Sequence, residues 1–183
     1  LSVAGVLLVL GGVGYYWGLG PAQVVTPDQV DARRPDYEVR GIRFTESGKD
    51  GRLLRRLDSP GLRHYTTPQD EGVLDTPVMR LYDQGQEAWH LQAARAISLQ
   101  DGKEVRLEGG VIAERRAPAA VPVQFATPSL TVWPDEERLQ SNTGIRLSRN
   151  DGEISGRSLT AGLKTGTIDI NQNVTGTYAP ARR

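Results

Sequence analysis

"EAWHLQAARAISLQ" (87–100) is the stretch on which the fold turns. Its alanines and leucines suit a helix, and nothing beyond residue 36 is a better helical candidate. Its apolar residues nevertheless alternate. Trp89, Leu91, Ala93, Ile97 and Leu99 share one parity, and His90, Gln92, Ser98 and Gln100 hold the other. A helix would gather its apolar residues at steps of three and four, whereas period two with one apolar face marks a half-buried strand. The stretch reads as β, with Trp89 to Leu99 on one continuous inner face.

The same period recurs on either side. Near the end of the chain Ile168, Ile170, Val174 and Tyr178 lie on one parity, with Asp169, Asn171 and Asn173 opposite. Turn signals separate the runs: "TESGKDG" (45–51), "DQGQ" (83–86), "QDGKE" (100–104), "WPDEE" (133–137) and "NDGE" (150–153). A loose repeat underlies them. Ala96, Val105 and Val111 have the spacing of Leu130, Leu139 and Ile145, and again of Leu159, Ile168 and Val174. Each trio steps by nine residues, read as strand, turn, strand, and then by six along the second strand. Repeated strand–turn–strand units in an antiparallel domain imply a jelly roll, a β-sandwich or a β-solenoid. Phe44, Phe125, Trp89 and Trp133 are the bulky residues besides four tyrosines, which suits a thin, elongated interior.

The first nineteen residues are of another kind. "LSVAGVLLVLGGVGYYWGLGP" (1–21) contains no charge, and the first charged residue is Asp28. A helix over 1–19 would span about 28 Å, near the thickness of a bilayer's hydrocarbon. Tyr15, Tyr16 and Trp17 would sit at the headgroups. A small-residue cleavage site at Gly18–Gly20 is followed at once by Pro21, so a retained single-pass anchor is expected rather than a signal peptide. Gly14 and Gly18 form a small-xxx-small pair, which predicts packing against other membrane helices. Residues 20–36, with three prolines and several charges, read as a linker to a domain over 37–178, followed by a short tail at 179–183.

Composition narrows the function. Lys plus Arg and Asp plus Glu both number 22, so no basic field recruits nucleic acid. The absence of cysteine excludes thiolate catalysis, Cys-ligated metal and disulfides, and is compatible with a periplasmic location. His64 and His90 are far apart, and no zinc-binding helix motif, nucleophile elbow or phosphate loop occurs. No catalytic residue, cofactor or metal is expected. The chain does not read as an enzyme.

The anchor, "PDYEVRGIRFTESGKDGRLLRRLDSPGLRHY" (35–65), "DTPVMRLYDQGQEAWHLQAARA" (75–96), "VRLEGGVIAER" (105–115), "FATPSLTVWPDEERLQSNTGIRL" (125–147) and "GEISGRSLTAGLKTGTIDINQNVTGTY" (152–178) together resemble the LptC family. Members are bitopic inner-membrane proteins of lipopolysaccharide export in Gram-negative bacteria. The resemblance runs through the whole chain in order. It implies an all-β fold, a twisted antiparallel β-jelly roll in the periplasm, behind one N-terminal transmembrane helix. The interior of such a roll holds lipopolysaccharide acyl chains. It further implies receipt of lipopolysaccharide from the LptB–LptF–LptG ABC transporter and delivery to periplasmic LptA.

Site residues follow from the same source. Val39, Leu74, Ile168 and Tyr178 fall where the family lines its lipid groove. Phe44, Val78, Ile170 and Val174 are expected to extend that lining. Gly48 and Gly144 match glycines placed in turns and at a bend, and with Gly14, Gly18, Asn173 and Thr175 make up the expected partner contacts. Asn173 stands where some relatives carry lysine, and "RAPAAVP" (116–122) is particular to this chain. The terminal strands, Tyr37–Phe44 and Thr167–Tyr178, are the expected open edges, the first meeting LptF and the second LptA. The alternative is a membrane-anchored structural β-sheet adaptor without lipid cargo.

Overall fold

A computed structural model describes residues 34–66, 69–116, 122–136, 138–162 and 167–178. The expected helix with Gly14 and Gly18, most of the linker, and the tail lie outside the described residues. Among those described, no helix is long and apolar enough to cross a membrane. Fourteen strands follow one another among the described residues: β1 (Tyr37–Ser47), β2 (Leu53–Tyr65), β3 (Glu71–Asp75), β4 (Val78–Asp83), β5 (Gln86–Gln92), β6 (Arg95–Leu99), β7 (Glu104–Arg115), β8 (Val123–Trp133), β9 (Arg138–Ser141), β10 (Ile145–Arg149), β11 (Gly152–Gly156), β12 (Ser158–Gly162), β13 (Thr167–Asn171) and β14 (Thr175–Tyr178). Every pairing among them is antiparallel. The five stretches expected as turns each join consecutive strands.

The ladder divides along a seam of corners. On one side, sheet one runs from the first half of β1 through the second half of β2, β3, β6, the first half of β7, the second half of β8, β9 and β12 to β13. On the other, sheet two runs from the second half of β1 through the first half of β2, β4, β5, the second half of β7, the first half of β8, β10 and β11 to β14. Four long strands, β1, β2, β7 and β8, bend across the seam and belong to both. The corners carry left-handed backbone at Gly41, Thr76, Gly109, Gly110, Gly144, Gln172 and Asn173. Backbone bonds from Thr76 to Ala94 (2.8 Å) and from Gly144 to Arg157 (2.9 Å) stitch neighbouring corners together.

The repeat seen in the sequence is the unit of this seam. Counting from Ala96, Leu130 and Leu159, the corner falls thirteen or fourteen residues on each time, at Gly109–Gly110, Thr143–Gly144 and Gln172–Asn173. The step of six within each trio is therefore the passage from sheet one to sheet two, within the bent strand β7 in the first trio and across a break in the strand in the other two. The same geometry corrects the reading of 89–99. Leu91 and Ala93 pack on the interior, but past the corner the inner residue is Ala96, and Ile97 and Leu99 turn to the other face. A strand that changes sheet changes parity at the corner.

The core lies between the two sheets. Leu62, Leu74, Ala96, Val105, Leu107, Leu130, Val132 and Leu159 come from sheet one, and Leu57, Met79, Val111 and Ile145 from sheet two. Medium-sized aliphatics predominate because paired strands of a narrow roll leave little depth for larger groups. Outside, Val73 and Ile97 sit in a row flanked by Arg63, paired with Asp75 (2.6 Å), and Arg106, paired with Glu104 (2.7 Å). The outer face of sheet two is ionic. Asp58 accepts from Arg43 (2.8 Å) and Arg80 (2.6 Å). Burial alone would raise its pKa, but the two guanidiniums outweigh that and hold it below the usual carboxylate value.

Candidate functional site

The interior opens where the sheets end. In β13 the inner residues are Ile168 and Ile170, paired with Ala161 and Leu159, while Asp169 and Asn171 face out. Across from them β11 and β14 supply Ile154, Gly156, Gly176 and Tyr178; Ile154 pairs with Leu147 and Gly176, and Gly152 with Tyr178. Nothing closes this end, because among the described residues β13 pairs with β12 alone and β14 with β11 alone. Ile168 is 62% exposed, Val174 54% and Tyr178 73%. These large apolar groups, left in water next to a continuous core, form an exposed patch that packing among the described residues does not account for.

Glycine makes the room. A Cβ on Gly156 would lie 2.5 Å from Cγ2 of Ile170, so the bare backbone lets sheet one approach sheet two at the corner. Further along, Leu147, Arg149, Gly152, Ile154, Gly176 and Tyr178 line an open cavity of about 360 Å³. Its floor is apolar and its rim, Arg149 with Asp151 and Glu153, is charged.

The other end is also exposed. Val39 (41% exposed) pairs with buried Leu62 and so faces the interior from the edge of sheet one. Tyr37 stacks on His64 with centroids 4.6 Å apart, and His64 Nε2 lies 2.8 Å from Asp70. Burial first, then the charges of Asp70 and Asp36, raise the Tyr37 pKa. Asp36, expected in the linker, is already tied to the fold: its amide donates to the His64 carbonyl and its carboxylate accepts from Thr66.

The expected site residues fall into distinct groups. Phe44, Leu74 and Ile170 belong to or pack against the core, and Val39, Ile168, Val174 and Tyr178 continue it into solvent. Val78 is a correction. It pairs with Asp58 and Gln92 on the outer face of sheet two, and its neighbour Met79 points inward. Successive residues of a strand point to opposite faces, so the inward position here belongs to Met79. Gly48 lies in the β1–β2 turn, its amide donating to Arg52 (2.9 Å). Gly144 and Asn173 are corner residues with φ of 90° and 52°, and Thr175 sits on the β14 edge with its hydroxyl 2.8 Å from that of Ser155. Ile154 and the glycines of β11 were missed, because glycine carries no apolar signal and "GEISG" alternates too briefly to stand out.

Such a molecule belongs to the β-jelly rolls, with an apolar interior that reaches solvent at both ends of the strand order. The chain is a member of the LptC-related lipopolysaccharide-assembly family, whose model matches residues 5–179. Its role is accordingly in lipopolysaccharide transport. The fold is similar to that of LptH, the LptA-homologous periplasmic component of the lipopolysaccharide transport device of Pseudomonas aeruginosa. That similarity has a TM-score of 0.51 at 11% identity, over 69% of this chain and 95% of LptH. No curated protein matches the chain in sequence.

Proposed function

We propose that the trough carries the acyl chains of lipopolysaccharide, taking them from the LptB–LptF–LptG transporter and passing them to LptA, with the N-terminal segment anchoring the domain in the inner membrane. The observation that carries this reading is the run of inward residues from the packed core into solvent, Leu159 to Ile170 to Ile168 on one sheet and Leu147 to Ile154 on the other. Exposing a methylene to water costs about 0.8 kcal/mol, so an acyl chain of a dozen carbons resists the aqueous gap by roughly 10 kcal/mol. A continuous apolar trough offsets that cost without any catalytic group.

Photo-crosslinking in living cells tests the facing. A reactive residue at Ile168 should yield a lipopolysaccharide adduct and the same residue at Asp169 should not, since neighbours on a strand point to opposite sides. Adducts at both, or at Asp169 alone, would reject the trough. The edge at β14 supports LptA as the receiving partner, because an unpaired strand offers its backbone to another sheet. Thr175→Pro removes one N–H from that edge and should cut LptA capture several-fold while the Ile168 adduct persists. Undiminished capture would direct LptA to another surface.

A further inference from the structure

We propose that the trough holds its lipid in one orientation, with the anionic headgroup on the lip of sheet two, where Arg115 and Arg149 receive its phosphates. The proposal rests on the lipopolysaccharide reading above and adds a direction to it.

The inward positions of the two sheets differ in charge. Directly paired residues of an antiparallel ladder project to the same face, so the inner rows can be followed strand by strand. On sheet one the row nearest the turns runs Tyr37, His64, Gly72, Ser98, Val105, Val132, Leu139, Ala161, Ile168. Among the described inward residues of that sheet none is Arg, Lys, Asp or Glu. On sheet two the corresponding row runs Glu46, Arg55, Leu81, Trp89, Arg115, and then Val123, Arg149, Gly152, Tyr178. Glu114 pairs with Gln124, which sets Arg115 beside Val123 and two strands from Arg149. At about 4.8 Å per strand the two guanidiniums stand on backbones roughly 10 Å apart.

The three arginines of this row are not equivalent. Arg55 is buried and bound to Glu46, its Nε donating at 2.7 Å, and desolvation lowers its pKa against the opposing pull of Glu46. It is neutralised within the fold. Arg149 is half-exposed on Asp151 at the end of its own hairpin (3.1 Å), a contact of the kind worth little in water and open to exchange. Arg115 is exposed, and among the described residues no carboxylate lies within ion-pair distance of it, although its neighbours Glu114 and Arg116 bind one another on the outer side.

Two available cations on the inner side of one lip, above an apolar floor and opposite an inner row without Arg, Lys, Asp or Glu among the described residues, fit an amphiphile with phosphate at one end. Guanidinium binds phosphate through two parallel donors, which fixes position as well as strength. A carrier of acyl chains alone would gain nothing from arginine there.

The test is equilibrium binding of the full-length chain in detergent to lipopolysaccharide with its lipid A phosphates and to the same lipid dephosphorylated. The paired variant Arg115→Gln with Arg149→Gln is compared with the wild type and with Arg106→Gln, which removes an outer-face charge. The double variant should bind phosphorylated lipid about tenfold more weakly and dephosphorylated lipid as the wild type does. Arg106→Gln should match the wild type on both. Equal binding of double variant and wild type to phosphorylated lipid, or equal losses on both lipids, would overturn the orientation and leave the trough standing. Failure of the wild type to bind either lipid would instead overturn the transport reading beneath it.

Discussion

Replacing Gly109 with alanine should lower the melting temperature by about 10 °C, and replacing its neighbour Gly110 by only about 4 °C. Both residues occupy left-handed backbone at the β7 corner, with φ of 78° and 91°. A side chain in that conformation costs about 1–2 kcal/mol at either position. The surroundings then separate them. A Cβ at Gly110 would meet nothing within 4 Å, while one at Gly109 would lie 2.5 Å from the Cβ of Ala94. Ala94 cannot retreat, because its carbonyl accepts from Thr76 at the adjoining corner (2.8 Å). Relief must come from backbone movement at a point where sheets one and two join, adding about 2 kcal/mol. Thermal melts of the two variants, followed by near-ultraviolet circular dichroism, provide the check. Equal shifts would mean that the corner gives way freely and that the seam does not hold the sheets in register.

The seam also shows what could be read from the sequence and what could not. Strands, turns and the open terminal edges were legible because alternation and turn residues are local: "NDGE" makes the same turn whatever lies above it. The resemblance supplied the jelly roll, which alternation alone left level with a sandwich or solenoid. Corners were illegible. Gly109–Gly110 advertises one, but the third corner is built from Gln172 and Asn173, and nothing in "NQNV" distinguishes it from the end of a strand. Parity beyond a corner is therefore lost, as at Ala93–Ala96. In the repeat, Ala96, Val105, Val111, Leu130, Ile145 and Leu159 are all buried. Ile168 and Val174 obey the same spacing and are exposed, because among the described residues β13 and β14 each pair on one side only and have no strand beyond them.

That exposure sets up the sharpest separation of stability from function. Ile168→Asp should leave the melting temperature within about 2 °C of the wild type and weaken lipopolysaccharide binding by thirtyfold or more. With 62% of its surface already in water and only Ala161 directly across the ladder, Ile168 contributes little to the fold. An aspartate there stays hydrated in the free protein, and strands tolerate a charge at an edge. Once acyl chains fill the trough the account changes. The isoleucine would have buried most of its side chain against them, worth about 1.5–3 kcal/mol. The carboxylate loses that contribution and must also give up water without a partner, since among the described residues the inner face of sheet one offers no Arg or Lys. Asp169 is the internal reference: it is already a carboxylate one position away, on the outer face, where Asp169→Ile should change lipid binding less than twofold. If Ile168→Asp binds lipopolysaccharide as the wild type does while folding normally, the exposed apolar end serves a protein neighbour and not the lipid, and the structural-adaptor reading takes its place.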